Sequence, residues 1–379
     1  MSCGNNIPNV KLAFGRESTV ICEDVKLTAS NGKSNDYFGC SVSISGDYAI
    51  VGVYQNRGAA YVFKREGTSW TQQAELTCQR GYTAGSFGNS VSISGDYAIV
   101  DAQDYKGSPH SFFIFRREGT SWTQQAEFYY RYNYSDYTGV LVSISGNYAI
   151  GGANIFECVG SSWAQQAELL KPDLGRYERF GNSVSISGDY VIVATRPLFG
   201  LVYIFKREGE SWTQQAELTS LDSSAEDSFG CSVSIDGDYA VVGAERDGSS
   251  GENSGAAYIY KRSGSTWSEQ TKLIASDSTD WALFGNSVSI KGDYAVIGAD
   301  GDDENGKNSG SAYIFEREGA GWVQKTKLTA WDGTNQDYFG LSVSIDGDYV
   351  IVGAPYDDDK GGNTGSAYIF KRGCASWPK

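Results

Sequence analysis

Histidine occurs once in the 379 residues, methionine once and proline six times. With only His110 available, His-rich metal sites are excluded and a Ser-His-Asp triad has almost no support. The seven cysteines (Cys3, Cys22, Cys40, Cys78, Cys158, Cys231 and Cys374) contain no C-x-x-C pair, which argues against zinc. No phosphate-cradling G-x-x-x-x-G-K-[ST] loop occurs. No apolar run approaches the ~20 residues of a membrane span. Basic residues number 31 against 46 acidic ones, a formal charge of −15, whereas a nucleic-acid partner calls for basic stripes. What the chain has in excess is glycine, 47 residues, and aromatics, 13%. Glycine at that density interrupts helices, while 40% hydrophobic residues suffice for a buried core. The composition therefore predicts an all-β protein.

A repeat reduces the choice to one architecture. The string SVSISGDYAIVG at Ser41–Gly52 returns as SVSISGDYAIVD at Ser90–Asp101 and, in variants, from Leu141, Ser183, Ser232, Ser287 and Ser342. Phe-Gly precedes it at Phe38, Phe87, Phe180, Phe229, Phe284 and Phe339, with Thr138-Gly139 as the departure. These seven starts are 42 to 55 residues apart. Seven of the nine tryptophans (Trp70, Trp122, Trp163, Trp212, Trp267, Trp322 and Trp377) hold one position of the repeat; Trp281 and Trp331 do not.

Each unit reads as four short strands. Val and Ile alternate with Ser in the first, the period of a half-buried strand, and Y-A-I-V-G forms a continuous apolar second. Gly-Asp between them suits a tight primed hairpin turn. A-Y-x-F supplies the third strand and the repeat tryptophan opens the fourth. Seven such units predict a seven-bladed β-propeller of four-stranded antiparallel blades. The last unit stops at Lys379, before its fourth strand, while Val25–Thr28 matches the missing tail Ala74–Thr77. The N-terminal strand is therefore expected to complete the last blade and close the ring, which removes open sheet edges. Residues 21–379 form the propeller in this reading, and 1–20 are an extension without an assigned role.

Phe-Gly opening a strand, with Gly353-Ala354-Pro355 after a second strand, resembles the FG-GAP repeat of integrin α-subunits and many microbial surface proteins. The resemblance covers residues ~24–379 and implies a seven-bladed propeller, adhesion-type recognition and a cell-surface or extracellular place. It departs at one point. The integrin-type D-x-D-x-D-G calcium loop between first and second strands has shrunk to S-G-D-Y, which speaks against calcium there.

The first–second and third–fourth loops share one face of the disc and hardly vary, and their K-R-E run reads as a solvated charge ring. Length variation falls on the other face, where Glu245–Ser254, Asp300–Ser309 and Pro355–Thr364 are ten-residue loops. Loops on a rigid scaffold are where binding resides, so this second face is the expected site. Asp300, Asp302 and Glu304 with Gly306 approach the spacing of a calcium loop, and Asp357 and Asp359 add carboxylates, but no bidentate Glu follows. Exposed acidic turns are the competing reading. The run Phe128–Tyr137, with Tyr129, Tyr130, Arg131, Tyr132 and Tyr134, and the off-period Trp281 and Trp331 have the composition of a protein interface. Local packing beneath a truncated third blade and sugar stacking are the alternatives for the tyrosines.

Cys374 falls beside the closing strand and Cys22 just before its Val25, so a Cys22–Cys374 disulfide locking the ring is an expectation. Cys40 and Cys231 hold one position in different blades and are not expected to pair. Met1–Asn6 lacks the basic and apolar regions of a secretory signal, leaving the compartment open. No catalytic residue is assigned, because no carboxylate pair stands out for glycoside hydrolysis. The expected function is non-enzymatic recognition of a protein partner or self-assembly through the variable face. A calcium-assisted, carbohydrate-binding propeller is the alternative, and a glycoside hydrolase the distant one.

Overall fold

The computed structural model describes residues 21–56, 58–78, 86–102, 110–130, 141–169, 180–195, 200–222 and 226–372. Within them, 28 strands form seven four-stranded antiparallel sheets. Blade 1 consists of Val42–Ser45, Tyr48–Val53, Ala59–Glu66 and Ser69–Leu76, running from the ring axis outward. Blade 7 consists of Ser342–Asp346, Tyr349–Ala354 and Ser366–Arg372, and its outer strand is Ile21–Leu27. The pairing places Val25 opposite Ile369, Lys26 opposite Tyr368 and Leu27 opposite Ala367. The closing strand thus begins four residues before the matched tail. Residues 1–20, Thr138 and Cys374 lie outside the described residues, as does the Cys22 side chain; Cys22 is aligned with Lys371 in the backbone register.

Seven apolar clusters fill the wedges between neighbouring blades. The closing wedge sets Val42, Ile44, Val51 and Phe63 of blade 1 against Tyr349, Ile351 and Ile369 of blade 7. The repeat phenylalanines Phe38, Phe87, Phe229, Phe284 and Phe339 are at most 1% exposed; each such side chain contributes about 2–3 kcal/mol by burial. The glycines of the Phe-Gly and Val-Gly-Ala strings meet backbone to backbone: a Cβ on Gly353 would stand 2.0 Å from the Gly39 carbonyl oxygen.

The serines of the inner strands do more than face water. Ser41, Ser43 and Ser45 accept hydrogen bonds from the N–H groups of Val91, Ile93 and Gly95 of the next blade, at 3.1, 3.1 and 3.3 Å. The lacing recurs around the axis, with Ser183 accepting from Val233 and Ser232 from Val288, both at 3.0 Å. It closes where the Ile44 N–H donates to Ser344 at 3.2 Å. Inner strands have no sheet neighbour on the axial side, so these hydroxyls satisfy N–H groups that would otherwise be stranded.

The uniform first face is also stitched between blades. Arg262 pairs with Asp238 of its own blade and lies 4.7 Å from the ring centre of Tyr190 in the preceding blade. Trp267 packs edge-on against the same Tyr190 and donates its indole N–H to Gln215 at 2.9 Å. Arg65, Arg117, Arg207, Arg317 and Arg372 repeat the pattern on Tyr349, Tyr48, Tyr148, Tyr239 and Tyr294. The arginine of the K-R-E run is therefore an inter-blade clip and not a free charge. Blade 3 lacks both halves: Asn147 replaces the turn aspartate and Cys158 the arginine.

Candidate functional site

On the second face, blades 5, 6 and 7 carry loops 245–255, 300–310 and 355–365, each one glycine longer than the sequence suggested. Their final residues run beside the connection into the next blade. The N–H groups of Trp281, Leu283 and Phe284 donate to the carbonyls of Glu252, Asn253 and Ser254 at 2.7, 3.2 and 3.0 Å. Gln336, Tyr338 and Phe339 repeat this on Lys307, Asn308 and Ser309, and Asn35, Tyr37 and Phe38 on Gly362, Asn363 and Thr364. The zipped connections hold Asn35, Tyr37, Trp281, Leu283, Gln336 and Tyr338 at φ between 54° and 67°. That left-handed conformation costs a non-glycine residue roughly 1–2 kcal/mol, and the hydrogen bonds to the loop offset it. Loop and connection form one pinned unit.

Beneath each long loop lies a carboxylate cluster with a lysine in it. Lys26 on the closing strand donates to Asp332, Asp357 and Asp359 at 2.7, 2.8 and 2.6 Å, and Tyr368 donates to Asp332 and Asp357 at 2.8 and 2.7 Å. In blade 5, Lys272 joins Asp222 and Asp247 at 2.9 and 2.7 Å, and Tyr258 donates to both. In blade 6, Lys327 joins Asp277, Asp302 and Glu304 at 2.7, 3.2 and 2.9 Å, under Tyr313. Each ammonium also sits 5.2 to 5.5 Å from its tyrosine ring centre. Burial alone would push the Lys26 ammonium down; its three carboxylate hydrogen bonds outweigh that and hold it above its ordinary value. Lys272 at Asp222 likewise holds that carboxyl below the usual range.

These clusters divide the five carboxylates that the sequence offered as metal ligands. Asp302 and Glu304 meet at Lys327, Asp357 and Asp359 meet at Lys26, and Asp300 stands apart from both. Asp332, Asp357 and Asp359 are the one trio among the described residues whose oxygens lie within 4.8 Å of each other. Calcium there would have to displace the Lys26 ammonium and draw several more oxygens from elsewhere.

Nearer the axis lies an aromatic arc. Tyr37 is 5.2 Å from Tyr54 and 5.0 Å from Tyr356, which is 4.9 Å from Tyr338. All four rings are half-buried. Beside them Asp300 is 7% exposed and its Oδ1 has no hydrogen-bond partner. Burial, reinforced by the charge of Glu245, pushes the Asp300 carboxyl up to about 7.

Of the expected interface residues, Trp281 and Trp331 are 54% and 51% exposed, and Trp331 rests edge-on against Tyr368 at 4.9 Å. The tyrosine run is not wholly a connection. Ser121–Tyr130 is one strand, and Phe128 pairs with Phe112 and stacks on Phe156 at 4.2 Å, so apolar pairing extends this outer strand. Tyr129 is exposed and donates to Glu127. Arg131, Tyr132 and Tyr134 lie outside the described residues, as does the Tyr130 side chain. The thiols of Cys40, Cys158 and Cys231 are free.

The sequence reading missed the lysine clusters. Their signal was a charge reversal: where Glu75, Glu127 and Glu217 stand opposite the third strand in blades 1, 2 and 4, the long-loop blades have Lys272, Lys327 and Lys26.

The chain is similar to known proteins at the level of the fold. A chain in a structure titled "Crystal Structure of Mitotic Checkpoint Complex" superposes with a TM-score of 0.56 at 13% identity, covering 98% of both chains. A structure of Saccharomyces cerevisiae Sqt1 gives a TM-score of 0.47 at 11% identity, over 89% of this chain and 83% of that one. No curated protein sequence matches. The FG-GAP repeat model matches six times, over residues 22–63, 70–111, 163–197, 212–260, 267–315 and 322–370. Five of the matches run from an outer strand into the third strand of the following blade, 163–197 stops short of it, and the first match begins within the closing strand. The chain belongs to the FG-GAP repeat family.

Proposed function

We propose that the chain is a non-catalytic recognition propeller that binds a protein partner through the second face of blades 5 to 7 and the adjoining part of blade 1. The observation that carries this reading is the pair of half-exposed indoles, Trp281 and Trp331, on connections whose backbone is pinned by the loop zippers. Tryptophan is over-represented among the residues that dominate binding energy, and a surface already ordered loses less entropy on association. Leu221, 90% exposed, and Ile274, 43% exposed, widen the apolar rim on the same side. Among the described residues the first face exposes one large apolar side chain, Val159, and its repeat arginines and tryptophans pack between blades. The similar fold in the mitotic checkpoint structure supports the architecture alone. Glycan binding is a second reading, favoured by the exposed Trp331 ring beside the Asp332 carboxylate.

A photo-activated cross-linker at position 281 or 331 tests the proposal, with Thr68 and Thr120 in first-face turns as controls. Capture of one common protein from 281 and 331, and not from 68 or 120, is expected. Capture confined to the first-face positions contradicts it, and selective binding on a glycan array without protein capture favours the second reading.

A further inference from the structure

At one end of blade 6 two buried acceptor oxygens lack a hydrogen-bond partner, and the charge of a third acceptor reaches one of them. Asn286 precedes the inner strand Val288–Lys291, and Asp300 follows the second strand Tyr294–Ala299. The two ends are tied together, the Gly285 N–H donating to Gly298 at 2.8 Å and the Gly298 N–H to Ser287 at 2.9 Å. The Asn286 amide nitrogen is spent on the carbonyls of Gly340 and Leu341, which turns its Oδ1 away from them, and that oxygen is buried without a partner. Asp300 Oδ1, in a side chain more than nine-tenths buried, is the second orphan. Glu245 of blade 5 supplies the third acceptor, close enough for its charge to act on Asp300. Arg246 touches Glu245 only at 3.8 Å, with its own side chain 61% exposed. Tyr356 borders Asp300 from blade 7.

On the same face, carboxylates beside a tyrosine ring take an ammonium three times, from Lys26, Lys272 and Lys327. Among the described residues, the corner formed by Asn286, Asp300 and Glu245 has no such cation. We propose that it receives a primary ammonium, the side chain of a lysine projecting from the protein partner. An ammonium presents three N–H donors at one point, the complement of two orphan acceptors and the Glu245 carboxylate, whereas calcium asks for six to eight oxygens. The tyrosine arc adds ring faces that attract a cation. The source of the lysine rests on the partner-binding reading above; ammonium binding at this corner is testable without a partner.

The probe is Nα-acetyl-lysine-N-methylamide, titrated into the full chain at constant ionic strength by calorimetry and by melting temperature, beside its Nε-acetylated, neutral counterpart. A native-state ligand raises the melting temperature with concentration. The lysine amide is expected to do so and the neutral compound not, and Asp300→Asn and Glu245→Gln should each weaken binding at least tenfold while remaining folded by circular dichroism. Equal response to the two compounds, or unchanged affinity in both variants, overturns the ammonium site. A response to 1 mM CaCl2 that Asp300→Asn abolishes, with none to the lysine amide, also overturns it in favour of a metal site. If the amide binds but a partner captured at 281 and 331 holds Asp300→Asn as tightly as wild type, the partner's lysine is refuted and the recognition face stands.

Discussion

Blades 5 to 7 and blades 1, 2 and 4 are built from one repeat, yet they carry opposite charges at one register position. Opposite the third strand stand Lys272, Lys327 and Lys26 in the former and Glu75, Glu127 and Glu217 in the latter. The lysine appears where a long loop brings a buried aspartate, Asp247, Asp302 or Asp357. In blade 1, which has no such aspartate, Asn31 donates to Glu75 at 3.2 Å and accepts from Tyr61 at 2.7 Å. The loop and the cation beneath it change together. Under each long acidic loop the outer strand supplies a positive charge.

The comparison breaks most severely if the blade 1 residue is moved into blade 7. Lys26→Glu sets a fourth carboxylate against Asp332, Asp357 and Asp359, with Asp357 only 5% exposed. Loss of a buried partner costs about 3–5 kcal/mol, and here it also loosens the strand that closes the ring. Urea unfolding should show at least that loss, with Lys26→Met milder. The reciprocal Glu75→Lys should change stability by less than about 1 kcal/mol, because an exposed charge there faces no carboxylate cluster.

Asp300 sharpens the contrast from the other side, as a buried carboxyl without a lysine. Its folded value of about 7 lies above the unfolded one, and Glu245 and Tyr356 are the ionisable groups facing it. The folded state therefore holds the proton more tightly, and this group's contribution to stability is full below pH 4 and lost as pH rises through 7. Asp300→Asn should gain stability at pH 8, by at most about 4 kcal/mol at 1.36 per unit, and the gain should vanish near pH 4. Chemical denaturation at the two pH values checks both the size and the sign.

Smaller effects separate the common scaffold from the variable face. Ser183→Ala leaves the buried Val233 N–H without its acceptor and should cost about 1–2 kcal/mol, with faster hydrogen exchange at Val233. In blade 3, Cys158→Arg with Asn147→Asp restores the missing clip onto Tyr97; the pair should add up to about 1 kcal/mol together and less than half of it singly.

The fold was legible because the repeat recurs in register, and the ring closure because Val25–Thr28 matches the absent tail. The inner-strand serines were read as the solvent half of an alternation; their hydrogen bonds run to the next blade, which a single strand cannot reveal. The second face was located by loop length, but its geometry was not. Asn35, Trp281 and Gln336 share a left-handed conformation without sharing a side-chain type, since the backbone zipper imposes it. Nor could spacing alone separate Asp300 from Asp302. Two residues apart, one turns to Lys327 and the other leaves an oxygen without a partner.

The measurement that bears most directly on the recognition face is the affinity of the captured partner for Trp281→Ala/Trp331→Ala, set beside a first-face control, Lys64→Ala/Thr68→Ala. The two indoles are expected to account for at least a hundredfold in Kd, mostly through faster dissociation, with the melting temperature within about 2 °C of wild type and the control unchanged. Wild-type affinity in the tryptophan variant, or a loss confined to the first-face control, would contradict the account.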